Sequence, residues 1–351
     1  MMRPLMILCV LALTGCASLN QAGTASYSVK PFMAGDQVVC CEVTVSNGKE
    51  IALLDATVIK RGDDYEVRLH EEGVVAFEGQ RVAAGAARTT AASAAKAAAL
   101  QAAGIDARVW DGSAPLEVPE GAHLLVTIPP DEAGCPVIRV RSTVIQRDPD
   151  VGDGDPDVIY LSTTGVYGDL GGGWAFEWSE TRPASARARA RVLAEDQWRA
   201  ATNGAVRIVR LPGIYGPGRS PFERLRAGSA TRVVKPGQVF SRVHVEDIAS
   251  GLLALLQRPA ARGVFHLCDD EPAPPQDVTE YAATLLGLSP PPEVRFEDAD
   301  LSPMARSFYA ECKRVSNARA KAALGWQPAY RTYREGLTAV LAAELAEGQG
   351  G

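Results

Sequence analysis

The sequence predicts an α/β chain whose larger part is a doubly wound parallel sheet without its first βα unit, preceded by an N-terminal β-meander and followed by a small C-terminal domain. Three observations carry this expectation. β-branched runs on either side of an Asn-Gly dipeptide fill residues 38–69. From residue 79 to residue 211, short apolar runs alternate with alanine-rich or arginine-rich helical stretches. Beyond residue 266 the chain is broken by prolines at 272–275 and 290–292. Strand and helix in alternation produce parallel strands that bind ligands at their carboxyl ends.

Bulk properties set the limits. A chain of 351 residues accommodates one large domain and a smaller one. Hydrophobic residues at 46% and charged residues at 22% are ordinary for a soluble globular protein. A formal net charge of -6 argues against nucleic acid as a partner, since phosphate binding draws on Lys and Arg, and favours a small-molecule substrate or a protein partner. The cysteines are Cys9, Cys16, Cys40, Cys41, Cys135, Cys268 and Cys312. None has paired C-x-x-C spacing, so no metal site is expected. Adjacent Cys40 and Cys41 would face opposite sides of a strand, a poor geometry for a disulfide.

Residues 1–16 read as a secretory signal: Arg3, an apolar run from Leu5 to Leu13, then Leu13-Thr14-Gly15-Cys16. That ending resembles a bacterial lipobox, which implies lipidation of Cys16 and anchoring in the envelope membrane, each buried CH₂ contributing about 0.8 kcal/mol. With the signal unused, the chain would be cytoplasmic. Residues 17–27 are polar and read as a tether. Residues 38–45, 50–59 and 65–69 then form a three-stranded meander, because Asn47-Gly48 between β-branched runs is a strong hairpin signal. The lipoprotein-like segment is bounded at 17–78.

The next segment, 79–265, carries the parallel sheet. Residues 81–90 read as a strand and its exit loop, and 91–103 as a helix ended by Gly104. Strands follow at 107–110, 123–128, 158–161 and 206–211, with a helix at 184–201. Residues 266–351 form the closing domain.

The strand ends bear recognisable motifs: Tyr160-Leu-Ser162-Thr163-Thr164-Gly-Val-Tyr167-Gly168-Asp169, then Glu180 and Pro183, then Arg210-Leu-Pro-Gly213-Ile-Tyr215-Gly216-Pro217, then His244-Val-Glu-Asp247. With Leu324-Gly325-Trp326 and Tyr333-Arg-Glu-Gly336 in the tail, their order and spacing resemble the extended short-chain dehydrogenase/reductase (SDR) family, in its NAD-dependent epimerase/dehydratase branch. This resemblance runs from about residue 81 onward and implies a Rossmann-like fold with a C-terminal substrate domain. It implies an NAD(P)-dependent oxidoreductase or epimerase acting on a sugar-nucleotide-like or other polar carbonyl substrate. Thr163 and Tyr167 would contact substrate; Arg88, Asp111, Thr127, Ser162, Gly213 and Tyr215 would contact NADP or NAD. Asp111 would lie near the adenine, and His244 to Asp247 would help hold the C-terminal domain. A basic residue just after the second strand accepts a 2′-phosphate, so Arg88 there favours NADP; it reads equally well as a surface arginine.

Two departures qualify this. The family opens with a strand, a glycine-rich turn and a helix whose N-terminus receives the pyrophosphate, and residues 71–79 cannot supply that unit. The family's catalytic tyrosine and lysine, four residues apart, are replaced by Arg187 and Arg191, counted back from Glu195. Arginine stays protonated and cannot act as the acid/base. Arg187 and Arg191 either hold an anionic substrate group or, with Glu195, form a solvated, salt-bridged helix face. Tyr167 is the remaining candidate acid. Three readings stay open: an atypical SDR enzyme, a membrane-anchored lipoprotein with a non-catalytic SDR-like binding module, and a junction of two unrelated coding pieces.

Overall fold

β-branched residues alternate with polar ones near the start of the chain, and there the backbone is extended and antiparallel. A computed structural model describes residues 19–21, 25–34, 37–45, 49–53, 56–61, 64–69, 76–78, 88–91, 94–102, 106–114, 116, 122–140 and 157–348, with most side chains from Thr89 onward. The expected signal segment and Cys16 lie outside the described residues. Two compact units divide the chain: Met1–Tyr160 with Asp196–Val206, and Leu161–Glu195 with Arg207–Gly351.

The first unit opens with six strands, β1 (Leu19–Gln21), β2 (Ala25–Ala34), β3 (Gln37–Val45), β4 (Lys49–Leu53), β5 (Ala56–Arg61) and β6 (Asp64–Leu69). Their order is β1-β2-β3-β5-β6, with β4 also on β3. The meander is larger than expected in two ways. Residues 50–59 form parts of two strands, which pair with different stretches of β3: β4 with Cys41 to Val45, and β5 with Gln37 and Val38. The expected tether also holds β1 and the start of β2.

The same unit contains β7 (Ala76–Glu78), β8 (Arg88–Ala91), helix α1 (Ala94–Ala102), β9 (Asp106–Val109), β10 (Ala122–Val126), a short helix α2 (Pro136–Arg139) and the first part of β11 (Asp157–Thr163). The strand order is β11-β10-β7-β8-β9. β8 with β9, and β10 with β11, are parallel, whereas β7 is antiparallel to both of its neighbours. Among the described residues the first βα unit is absent as expected, but its place in the sheet is not empty. Its central slot is filled by β7, running the other way. Because β7 leaves at the amino edge and β8 starts there, no helix can begin at the carboxyl edge after it, as a βα unit requires.

Helix α1 packs through Ala97 and Leu100 on Ala91 and Ala107 of β8 and β9. Its alanines are good helix formers, and their small side chains let the helix approach the sheet closely. In the same unit Trp198 is fully buried, its ring 6.3 Å from that of Tyr160. No described helix is long and apolar enough to cross a membrane.

The second unit takes over at Leu161 within β11. It contains a 3₁₀ turn (Thr164–Tyr167), β12 (Trp174–Ala175), most of helix α3 (Ala186–Ala201), β13 (Arg207–Leu211), β14 (Gly213–Tyr215), α4 (Phe222–Arg226), β15 (Arg232–Val234) and β16 (Arg242–His244). The chain continues through α5 (Val245–Leu256), β17 (Gly263–His266), α6 (Pro275–Leu285), β18 (Glu293–Arg295), α7 (Pro303–Phe308), β19 (Arg314–Val315), α8 (Ala318–Leu324) and α9 (Tyr333–Gly348). Four parallel pairs organise it: β13 with β17, β14 with β16, β12 with β19, and β15 with β18.

An apolar core of Tyr215, Phe222, Leu225, Val278, Tyr333, Leu337 and Val340 joins β14, α4, α6 and α9. Asp247 of α5 accepts from the Ala329 and Tyr330 backbone N–H groups at 2.6 and 3.1 Å. The His244 to Asp247 motif therefore ties the tail down. Gly325 ends α8 in the left-handed conformation, φ 59°, and the next residue, Trp326, donates to Ser250 Oγ at 2.9 Å.

Candidate active site

All the side chains of this first group belong to the second unit. β11 ends in two adjacent hydroxyls that the alternation of a strand sends to opposite faces. Thr163 caps the following turn: the Gly165 N–H donates to Thr163 Oγ1 at 3.1 Å. That bond occupies a lone pair and leaves the hydroxyl hydrogen for another acceptor, and Thr163 is partly exposed. The turn then reverses at Gly168, φ 66°, where a Cβ would collide with the Arg182 carbonyl oxygen.

Ser162 points inward and donates to Glu195 Oε1 at 2.5 Å. Glu195, fully buried on α3, is gripped by Arg210 of β13, Nε to Oε1 at 2.9 Å and Nη2 to Oε2 at 2.6 Å. This two-pronged pairing suits a planar guanidinium. Arg210 Nη1 also donates to Tyr167 Oη at 2.7 Å. Tyr167 Oη lies 2.6 Å from His266 Nε2, and His266 Nδ1 lies 2.9 Å from the Ser316 carbonyl oxygen. A carbonyl only accepts, so Nδ1 carries the imidazole hydrogen, Nε2 accepts, and Tyr167 donates. The Tyr167 hydroxyl hydrogen and the His266 imidazole hydrogen are thereby both committed.

Burial sets the electrostatics. Tyr167 is completely enclosed, and loss of solvent pushes its phenol up to about 12 even though Arg210 pulls it down. Burial lowers His266 to about 4, so the ring is neutral. Glu177, whose Oε1 accepts from the His266 backbone N–H at 3.4 Å, is raised by burial. For Arg210, burial acts to lower the guanidinium, but the Glu195 hydrogen bonds and charge outweigh it.

The His266 shift has a pH consequence. An unfolded histidine takes up a proton near 6.5, whereas the folded one refuses it until about 4. Folding stability is therefore expected to fall as pH drops through this window, His266 accounting for about 2–4 kcal/mol at the lower end. Urea denaturation at pH 7 and pH 4.5 should show a smaller difference for His266→Gln than for the parent chain; an unchanged difference refutes the assignment.

The other expected site residues are placed as follows. Arg187 is exposed on α3, with Nη2 3.5 Å from Ser307 Oγ and its guanidinium 5.8 Å from the Phe308 ring centroid. No carboxylate pairs with it among the described residues. Arg191 donates to the Leu161 carbonyl oxygen at 2.8 Å. The expected solvated face of Arg187, Arg191 and Glu195 is thus corrected: Glu195 is turned inward to Arg210. Gly213 is exposed on β14, and Tyr215 is buried, edge-on to His244 at 5.2 Å. In the first unit, Asp111 follows β9 and Thr127 follows β10, both at carboxyl ends. Asp111 is exposed, and hydrogen bonds from the Ser113 hydroxyl and N–H hold its carboxyl below the usual range. Arg88 opens β8 instead of following it. It therefore starts at the amino edge, which removes the positional argument for a 2′-phosphate contact.

Glu177 and His266 were not visible as functional groups in the sequence. One signal was available. Residues 206–211 form an otherwise apolar strand carrying Arg207 and Arg210, and β13 is buried along its whole length. Charges in such a strand must have internal partners. Among the described residues, no group of three or more His, Cys, Asp or Glu side chains could hold a metal ion.

The chain is 46% identical to a functionally unknown conserved protein from Silicibacter pomeroyi, covering 73% of this chain and 89% of that one with a TM-score of 0.66. Over 138 residues it is 35% identical to Protein YeeZ of Escherichia coli, 39% of this chain and 48% of that one. Over 141 residues it is 30% identical to a 3-diazoavenalumate denitrifying reductase from a Streptomyces species, 37% of this chain and 45% of that one. The chain thus spans about half the length of the curated relatives it matches. No family model matches it.

Proposed function

The chain belongs to the family of the conserved Silicibacter pomeroyi protein, and from that premise we propose that it is an SDR-type NAD(P)-dependent oxidoreductase or epimerase that works without the family's tyrosine acid. The observation that carries this is Thr163, with its hydroxyl hydrogen uncommitted at the carboxyl end of β11. The matched stretch of a Streptomyces reductase supports redox chemistry. The substrate we propose is a polar carbonyl compound, sugar-nucleotide-like or similar.

The residues fit a dinucleotide at its adenosine end. Asp111 offers an exposed, ionised carboxylate to ribose hydroxyls, and Thr127 follows β10, which lies beyond β8 and β7 in the same sheet and runs parallel to β9. Helix α1 also begins at that edge, where a helix N-terminus favours phosphate. β7 contributes no such terminus. With Arg88 at the amino edge, neither NAD nor NADP is favoured. When bound, the dinucleotide supplies or accepts a hydride.

The protein's own part is orientation and charge. Thr163 donates to the substrate oxygen as negative charge develops there. Arg187 attracts an anionic group of the substrate, and Arg191 braces the end of β11 through the Leu161 carbonyl. Neither arginine gives up a proton, and the Tyr167 hydrogen is held by His266, so solvent provides the proton. That same shortage of side-chain acids favours a second reading, a non-catalytic binding module, with Cys16 anchoring it to a membrane.

Calorimetric titration of the full chain with NADH and NADPH separates these. Micromolar binding of either, together with turnover of a carbonyl substrate, is expected of the enzyme. Binding without turnover across a carbonyl panel supports the module, and absence of binding by folded protein refutes the dinucleotide reading.

A further inference from the structure

Away from β11, the second unit buries polar atoms that its own structure leaves unsatisfied. β14 and β16 lie side by side, with Gly213 opposite Arg242 and Tyr215 opposite His244. Just past β17, Asp269 donates its backbone N–H to the Arg242 carbonyl oxygen at 2.8 Å. Tyr215 is 7% exposed and Asp269 2%. Yet the Tyr215 phenol has no hydrogen-bond partner, and the Asp269 carboxyl, which faces the Glu271 and Arg242 backbone N–H groups without well-formed hydrogen bonds, has no side-chain partner. A buried polar group left unpaired is costly, so such groups in folded proteins ordinarily have a partner.

Arg242 completes the cluster. Its Nη1 donates to the Phe240 and Ala273 carbonyl oxygens at 2.8 and 3.2 Å, and its guanidinium stands 6.0 Å from the Tyr333 ring centroid. The Nε and Nη2 hydrogens have no acceptor among the described residues, and the residue is partly accessible. Asp269 and Tyr215 are its leading electrostatic neighbours. Gly336 of α9 leaves room for the phenol, since a Cβ there would collide with Tyr215 Oη.

We propose that Arg242, Tyr215 and Asp269 form an oxyanion subsite that receives a phosphate or carboxylate group of the substrate. The free guanidinium hydrogens and the phenol hydrogen are donors. Burial pushes the Asp269 carboxyl up to about 8 against the pull of Arg242 and of the Glu271 and Arg242 N–H groups, and a bound anion favours its protonated, hydrogen-donating form. Of the nearby acids, Glu271 pairs with Arg334 through Oε1 while its Oε2 is unpartnered, and Asp247 receives the Ala329 and Tyr330 N–H groups. Calling the ligand a substrate group rests on the proposed enzymatic reading; the anion site itself does not.

The test is titration of the full chain with inorganic phosphate, and separately with acetate, against sodium chloride at matched ionic strength. Thermal midpoint and amide chemical shifts are followed. A saturable response to one anion is expected, and which one responds distinguishes phosphate from carboxylate. Arg242→Gln should weaken it at least about tenfold, and the packing-neutral Tyr215→Phe several-fold, while Arg295→Ala on the surface leaves it unchanged. Tyr215→Phe decides the matter if Arg242→Gln fails to fold. No saturable response, or equal affinity in Tyr215→Phe and the parent, overturns the proposal. Anion binding without NADH or NADPH binding retains the subsite and removes the oxidoreductase reading.

Discussion

Arg210→Met is expected to destabilise the chain by about 3–5 kcal/mol, enough to unfold a marginally stable protein. The change strands Glu195, fully buried with both oxygens engaged by Arg210, and removes a donor from Tyr167. Removing one partner of a buried pair costs far more than removing both, because the survivor keeps its charge without its counter-ion. Arg210→Met combined with Glu195→Met should therefore recover more than half of the loss. Urea denaturation of the two variants checks this. If the double variant is as unstable as the single, packing around Arg210 matters and the ion pair does not.

Thr163→Val is expected to lower kcat by about 10²- to 10³-fold, the usual consequence of losing one donor to a developing oxyanion. Valine matches threonine in shape, so dinucleotide affinity should be unchanged. The substitution also removes the acceptor for the Gly165 N–H, a capping loss of about 1 kcal/mol. Thr163→Ser keeps both the cap and the donor and should restore most of the rate. A variant that raises KM with kcat intact would show that the hydroxyl binds substrate equally in ground and transition states, and the proposed role would fail.

Tyr167 shows what a motif leaves unsaid. Its place in Val166-Tyr167-Gly168 made it a candidate acid, but the phenol is enclosed between Arg210 and His266. Those partners lie 43 and 99 residues away, so no local pattern announces them. Arg187, Arg191 and Glu195 share the spacing of a helix face. Only the approach of β13 turns Glu195 inward while Arg187 stays in solvent.

By itself the sequence determined the alternation of strand and helix and its approximate limits. The helix expected at 184–201 is Ala186–Ala201, and the strand expected at 206–211 is Arg207–Leu211. These are local matters, set by periodicity, by alanine-rich helices and by glycine and proline at their ends. Tertiary structure alone decided that β7 fills the central slot antiparallel, that Arg88 begins its strand, and that Glu195 belongs to Arg210. A three-residue strand carries almost no periodicity, and the partner of a buried charge is chosen by which distant groups desolvate it, which is a property of packing.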